Sequence, residues 1–292
     1  MCGRARCSVS RKCLEEYVGT HFRDVQCHTD DSMFSKYSPS YNISPGHFLP
    51  VIVRNQDHNG SLELSAFKWG LVPNFTNTAT EKPDHYRMFN CRSEEMQNKP
   101  SFKNLVSRNR CIILTEGFYE WKNQHFGEKQ PYFVYFGSED KGDADMMPLA
   151  GLFDCWIDRN GTKTYTCTIL TTSSNKELSW LHDRMPLILD HGSMASWIDT
   201  ETFPVPKDIL QPYHGEKALE YHKVNPKIGK VSFQGKGCCE EYGKSQKSIL
   251  SMFHVKKEEP HVGDNGAENE RKRSIIPQDT GDTQGKRPKV IS

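Results

Sequence analysis

Short apolar runs bounded by turn-forming residues fill most of the sequence before residue 235. The runs richest in β-branched and aromatic residues are Leu49–Val53, Leu62–Trp69, Arg110–Leu114, Tyr132–Phe136, Leu149–Phe153 and Tyr165–Leu170. Runs of this length and composition predict strands. Helical patterns are fewer and occur at Cys13–Val18, Lys176–Leu181 and Ser193–Ile198. We therefore expect an α+β fold, with one β-rich domain and no alternating βαβ units.

The composition changes at about residue 235. Residues 236–292 contain only two aromatic residues, Tyr242 and Phe253, among many charged and small polar ones. Such a segment buries too little apolar surface to offset the entropy cost of ordering it. The sequence therefore predicts a folded domain over residues 2–235 and a disordered tail over residues 236–292.

The overall charge excludes a uniformly basic nucleic-acid-binding protein, because the formal net charge is only +1. Any binding of nucleic acid must therefore depend on local clusters of basic residues. We find neither an apolar stretch long enough to cross a membrane nor a signal peptide, so we expect an intracellular protein. The low charge and the lack of an exposed apolar signature predict a monomer. The ten cysteines show no Cys-x-x-Cys spacing, which favours reduced thiols and predicts neither a metal nor a cofactor.

Cys2 has unusual chemistry if Met1 is removed. It then carries an α-amine with a reference pKa near ~7.7 and a thiol with a reference pKa near ~8.5 on one residue. The amine can act as a base for the thiol in acyl transfer. Alternatively, the amine can condense with an aldehyde and the thiol can close a five-membered thiazolidine ring. By itself the residue does not decide between these reactions, or between them and an incidental cysteine.

Several further segments combine polar, charged and aromatic residues at close spacing. They are Cys2-Gly3-Arg4, Asn42-x-x-Pro45, Trp69-Gly70-Leu71-Val72-Pro73, Asn90-x-Arg92-Ser93-Glu94, Gly117-Phe118-Tyr119-Glu120-Trp121 and His182-x-Arg184-Met185-Pro186. Glu120 is a candidate general acid or base, or else a carboxylate at the edge of the core. His182 is a candidate proton relay or a structural residue. Trp69 offers a face for stacking on a base, or else fills the core.

In order and spacing, these motifs resemble the SRAP (SOS response-associated peptidase) family over residues 2 to about 235. The resemblance implies a compact domain whose sheets curl into a barrel-like core with flanking helices. It also implies that Cys2 crosslinks to abasic sites in single-stranded DNA as a thiazolidine and shields them during replication. Asn90, Glu120 and His182 would complete the active site. The residues implied near DNA are Arg4, Asn42, Pro45, Trp69, Arg92, Ser93 and Arg184.

Two alternatives remain open from the sequence. The first is a cysteine autopeptidase whose chemistry removes Met1, which the family name allows. The second is a reader of 5-hydroxymethylcytosine that binds without a covalent bond and needs no free α-amine.

The predicted tail contains two motifs that indicate the animal members of the family. Residues 246–253 resemble the motif that docks on the sliding clamp, proliferating cell nuclear antigen, through Gln246, Ile249, Met252 and Phe253. Met252 departs from the aromatic residue that the motif usually has, and a chance apolar patch is the alternative. Basic clusters within residues 271–289 resemble a bipartite nuclear-import signal, although they could be solvated charge. We therefore expect a nuclear protein that acts at replication forks.

Overall fold

A computed structural model describes residues 2–23, 25–55, 60–79, 82–124, 127–137 and 145–243. The chain divides into two units, Met1–Lys244 and Ser245–Ser292. The predicted clamp-docking motif at residues 246–253 and the basic clusters at 271–289 lie outside the described residues.

Strands make up most of the secondary structure. They are β1 (Arg4–Cys7), β2 (Cys27–Thr29), β3 (Ser40–Ile43), β4 (Phe48–Arg54), β5 (Leu62–Trp69), β6 (Asn90–Arg92), β7 (Arg110–Thr115), β8 (Gly117–Asn123), β9 (Lys129–Phe136), β10 (Met147–Ile157), β11 (Lys163–Ser173), β12 (Arg184–Pro186) and β13 (Leu219–Lys223). The α-helices are α1 (Arg11–His21), α2 (Asp31–Phe34), α3 (Pro100–Lys103) and α4 (His191–Ile198).

The larger sheet closes on itself. Antiparallel pairing connects β11 to β10, β10 to β7, β7 to β4 and β4 to β5. Strand β5 then returns to β11 through the parallel pairs Lys68–Thr166 and Trp69–Cys167. The result is a barrel-like ring filled by apolar side chains, with β2, β6 and β12 attached at its edges. Closure removes free sheet edges, which would otherwise promote association.

A smaller, 5-stranded sheet has the order β13-β9-β8-β1-β3. It joins the larger sheet at Glu116, which separates β7 from β8. The buried carboxylate of Glu116 lies 2.8 Å from Arg6 Nη2 and accepts a 2.7 Å hydrogen bond from Ser8 Oγ. At Gly117 the backbone φ is 151°, and a Cβ atom would lie 2.4 Å from the carbonyl oxygen of Val134. This corner therefore requires glycine.

The two longer helices begin at side-chain caps and bury one face each. The side chain of Ser10 accepts from the backbone N–H of Cys13 at the start of α1, and Asp190 forms a capping box with Ser193 at the start of α4. Trp197 of α4 is buried, and its indole N–H donates to the carbonyl of Cys111 at 2.8 Å. Within the described ranges, no helix combines the length and the apolar character needed to cross a bilayer.

The predicted α+β class and its predicted strands are confirmed, since each apolar run lies within a strand. The helical segments Cys13–Val18 and Ser193–Ile198 lie within α1 and α4. The predicted helix at Lys176–Leu181 is wrong, because these residues form turns. The buried side chain of Asn175 starts the first turn by accepting from the N–H of Leu178, and β12 follows too closely for a helix to continue.

Ordered structure continues beyond residue 235, where the tail was predicted to begin. Lys236–Cys238 forms a 3-10 helix, and Cys238 is buried against Tyr119 and Phe133. The N–H of Tyr242 donates to the carbonyl of Lys223 at 2.8 Å. The apolar partners of this segment come from distant strands, so its own polar composition could not reveal them.

Candidate functional site

Cys2 lies two residues before β1 and is only 2% exposed. The amide of Asn90 donates from Nδ2 to the carbonyl oxygen of Cys2 at 2.8 Å. The thiol of Cys2 lies 3.7 Å from the carbonyl oxygen of Arg4. A residue near the chain terminus is thus held in a defined position by a residue 88 positions further along the chain.

Glu120 approaches Cys2 because β1 and β8 are neighbours in the smaller sheet. The antiparallel pairing of β1 with β8 ends at Arg4 and Tyr119. Beyond this pair, the same register brings the residues before Arg4 opposite Glu120. Glu120 is 4% exposed, and its Oε1 accepts from the N–H of Trp121 at 3.1 Å. Side chains alternate along a strand, so Tyr119 and Trp121 face the other side of the sheet, where they pack with Phe133.

The pKa of the Cys2 thiol is raised well above its ordinary value. Burial is the main cause, and the negative charge of Glu120 raises the pKa further, while the positive chain terminus opposes these effects. Both causes disfavour the thiolate. The thiol is therefore protonated at neutral pH, and it needs a proton acceptor before it can act as a nucleophile.

Strand β6 places Asn90 and Arg92 on one side, since residues two apart in a strand share a face. Between them, Cys91 is buried on the opposite side, whereas Arg92 is exposed. The Oδ1 atom of Asn90 is buried and has no hydrogen-bond partner within the described part of the chain. One end of this amide therefore holds Cys2, and the other end is an unused acceptor.

The basic residues Arg92 and Arg184 meet at the end of β11. Arg92 pairs with Thr171 in the parallel ladder between β6 and β11. Arg184 of β12 donates from Nη2 to the carbonyl of the same Thr171 at 2.6 Å. The other contact of its guanidinium is the carboxylate of Glu94, at 2.6 Å and 2.9 Å. Arg184 is thus positioned next to β6, the strand that carries both Asn90 and Arg92.

His182 lies in the turn that leads into β12. Its Nδ1 is 2.7 Å from a carboxylate oxygen of Asp183 and 3.0 Å from the backbone N of Arg184. The ring is partly exposed, at 28%. His182 therefore belongs to the segment that positions Arg184.

Arg4 is half-buried near Cys2. Its guanidinium donates to the carbonyls of Gly3 at 2.9 Å and Gly229 at 3.1 Å. Burial lowers the pKa of Arg4, and an ionised Tyr86 would raise it. Tyr86 thus lies within electrostatic range of Arg4, and its side chain is 57% exposed. Sequence reasoning missed this aromatic residue, although His85-Tyr86-Arg87 in a polar loop was a usable signal.

Four residues that the sequence placed near DNA are buried. Trp69 is fully buried and donates from Nε1 to the carbonyl of Phe89 at 2.9 Å, so the structure favours the interpretation that it fills the core. Asn42 is 1% exposed, and its amide donates to the carbonyls of Ile228, Lys230 and Phe233. The remaining two are Pro45 and Ser93. None of these side chains offers a surface for direct contact.

Comparison of the domain sequence with known protein families identifies the family of this chain. Residues 1–231 match the family described as SOS response associated peptidase, SRAP. The chain belongs to the SRAP family. A relative from Xenopus tropicalis, "Abasic site processing protein HMCES", is 36% identical over 250 residues, which are 77% of this chain and 73% of the relative. A Bacillus subtilis relative, "Abasic site processing protein YoqW", is 32% identical over 188 residues, 64% of this chain and 79% of its own.

Solved structures support the fold of this SRAP chain. A protein from Bacteroides thetaiotaomicron superposes with a TM-score of 0.65 and covers 82% of this chain and 99% of its own. The two are 22% identical in sequence, so the likeness concerns the fold alone.

Proposed function

We propose that this protein senses and shields abasic sites in single-stranded DNA by forming a covalent thiazolidine through Cys2. The observation that carries the proposal is the buried Cys2, held by Asn90 and facing the charge of Glu120. Relatives that are about a third identical are named abasic site processing proteins. An abasic deoxyribose supplies the aldehyde that an N-terminal cysteine can capture.

The reaction begins once Met1 has been removed. The α-amine of Cys2 attacks the aldehyde carbon of the ring-opened sugar, and loss of water gives an imine. The sulfur then adds to the imine carbon, and the thiol proton passes to the nitrogen, which closes the five-membered ring. The balance is one sugar and one cysteine joined with loss of one water.

The site residues divide the proton transfers between them. Glu120 is an acid or base whose charge acts on the thiol, and it accepts and returns protons during imine formation and ring closure. The unused Oδ1 of Asn90 accepts a hydrogen bond from the α-amine and orients it. His182 assists opening of the sugar ring. The raised thiol pKa makes the amine the first nucleophile and the thiol the second.

The surroundings of Cys2 suit a single strand with a missing base. Arg4, Arg92 and Arg184 supply positive charge for phosphates on a chain with little net charge. Tyr86 supplies an exposed aromatic face within electrostatic range of Arg4, on which a neighbouring base can stack.

Partners of the tail complete the proposal on sequence grounds. The motif at residues 246–253 docks on the sliding clamp, and the basic clusters at 271–289 direct the chain to the nucleus. Together they bring the protein to replication forks, where single-stranded DNA is exposed.

Intact-mass spectrometry with an abasic single-stranded oligonucleotide tests the covalent step. We expect a species with the mass of the protein without Met1 plus the oligonucleotide minus water, mapped to residue 2. Cys2→Ala should abolish it, while Cys13→Ala, which removes an exposed thiol, should leave it intact. An undiminished adduct in Cys2→Ala would remove the thiazolidine.

The autopeptidase is the second candidate, because the Cys2 thiol has the carboxylate of Glu120 close enough to raise its pKa. Protein expressed without methionine aminopeptidase distinguishes the two. Slow loss of Met1 that requires Cys2 and Glu120, without capture of abasic DNA, would favour the peptidase.

A further inference from the structure

The guanidinium of Arg184 is almost enclosed. Its side chain is 11% exposed, whereas that of its partner Glu94 is 53% exposed. Nη1 lies 2.6 Å from one carboxylate oxygen of Glu94, and Nη2 lies 2.9 Å from the other. Nη2 also donates to the carbonyl of Thr171 at 2.6 Å. The edge of the guanidinium that faces outward is therefore filled by Glu94.

We infer that Glu94 occupies the position on Arg184 that a DNA phosphate takes, so that the strand must displace Glu94 before Arg184 can bind it. This inference rests on the proposed function. A carboxylate and a phosphate present similar pairs of oxygens to a guanidinium, and both bind it in the same forked geometry. One edge of Arg184 cannot hold both anions at once.

Burial explains why a phosphate that binds this edge of Arg184 must displace Glu94. The carbonyl of Thr171 is part of the barrel, where it also accepts from the backbone N–H of Ser93, so it cannot move aside. The side chain of Glu94 is 53% exposed, so its carboxylate can rotate into water. The anion that arrives therefore replaces Glu94 and leaves the contact with Thr171 intact.

The charged residues next to Glu94 and Arg184 in sequence do not take part in their ion pair. Glu95 is adjacent in sequence, but its carboxylate pairs with Lys99 at 2.5 Å. Arg92 is exposed, and within the described part of the chain no carboxylate forms an ion pair with its guanidinium. Only Arg184, of the two arginines at the end of β11, has its donors masked by a carboxylate. Glu94 thus lowers affinity for every strand and favours strands that gain enough contacts elsewhere to displace it.

The test measures binding of an undamaged single-stranded oligonucleotide by fluorescence anisotropy at one fixed salt concentration. Glu94→Gln should bind about fivefold more tightly, the effect expected for loss of one partly exposed ion pair. Glu95→Gln is the matched control, since it removes the same charge from the adjacent residue, which does not contact Arg184. Its affinity should rise clearly less. Adding Arg184→Gln to Glu94→Gln should abolish the gain.

Unchanged or weaker binding by Glu94→Gln would overturn the inference, because it would make Glu94 a support for Arg184 and not a competitor. An equal gain in Glu95→Gln would also overturn it, since the effect would then be general charge. Thermal unfolding of each variant verifies that the fold is retained. The adduct with abasic oligonucleotide is measured in parallel. If the wild-type protein crosslinks but Glu94→Gln shows no gain in affinity, the inference alone is refuted. If the wild-type protein neither binds nor crosslinks, the proposed function is refuted with it.

Discussion

Burial controls the reactivity of Cys2 more strongly than its place at the second position of the chain. Both burial and the charge of Glu120 raise the pKa of its thiol. The protonated thiol is present below the raised pKa, so the thiolate forms only at pH values well above the usual range for cysteine. In the proposed reaction, the protonated thiol reacts after the amine has formed an imine, when its proton can be transferred locally.

Alkylation of native protein measures this effect. At pH 8, iodoacetamide should label the exposed Cys13 and leave Cys2 largely unlabelled, as read by peptide mapping. Glu120→Gln removes a negative charge that raises the thiol pKa, so labelling of Cys2 should increase. Denatured protein, in which both residues should react, is the control. Rapid labelling of Cys2 in the native wild-type protein would contradict the argument.

Substitutions of Trp69 and Tyr86 should have different effects. The first should lower stability, and the second should weaken DNA binding. Trp69→Phe loses the hydrogen bond to Phe89 and some core volume, so the free energy of unfolding should fall by about 2–3 kcal/mol. Its affinity for single-stranded DNA should not change. Tyr86→Ala should leave stability within about 0.5 kcal/mol and weaken binding about tenfold.

Chemical denaturation and anisotropy measured on both variants provide the comparison. Weaker binding by a fully folded Trp69→Phe would restore Trp69 as a contact with DNA. Unaltered binding by Tyr86→Ala would remove Tyr86 from the interface.

At the scale of elements, short strands position most of the site. The three-residue strand β6 places Asn90, which contacts Cys2, and the exposed Arg92 on one face and buries Cys91 on the other, because side chains alternate along it. Asn42 on β3 holds the carbonyls of Ile228 and Lys230. Between those two residues lies Gly229, whose carbonyl accepts from Arg4. A buried amide in one sheet thus positions an arginine beside Cys2 without any contact to it.

The whole folded unit depends on residues beyond 235. Cys238 is buried, His222 Nε2 lies 2.6 Å from the carbonyl oxygen of Cys239, and Arg6 donates to the thiol of Cys239 at 3.4 Å. Arg6 also pairs with Glu116 at the corner between the sheets. The segment therefore packs on the smaller sheet and helps to bury the Arg6–Glu116 ion pair, whose side chains are 10% and 2% exposed.

Two truncations should differ sharply in stability. A chain that ends at Gly243 retains all of these contacts, and its free energy of unfolding should equal that of the full chain within about 0.5 kcal/mol. A chain that ends at Gly235 loses them and should be less stable by about 2–4 kcal/mol. Urea denaturation followed by tryptophan fluorescence measures both. Equal stability of the two truncations would show that residues 236–243 contribute nothing.

Local patterns were sufficient to predict much of this protein. Strand positions followed from runs of β-branched and aromatic residues, because these side chains suit a half-buried, pleated surface. The family followed from the order of its motifs, and with it the set that includes Cys2, Asn90 and Glu120. The helix at Lys176–Leu181 failed because a buried Asn175 and the pairing of β12 override a weak local preference.

Only the tertiary structure decided which polar and aromatic residues reach the surface. Trp69 and Asn42 have the chemistry of DNA contacts, yet closure of the barrel buries the first and packing of residues 228–233 covers the second. The pairing of Glu94 with Arg184 joins residues 90 positions apart. Such contacts depend on how strands are paired across the sheet, and residue type and spacing along the chain do not contain that information.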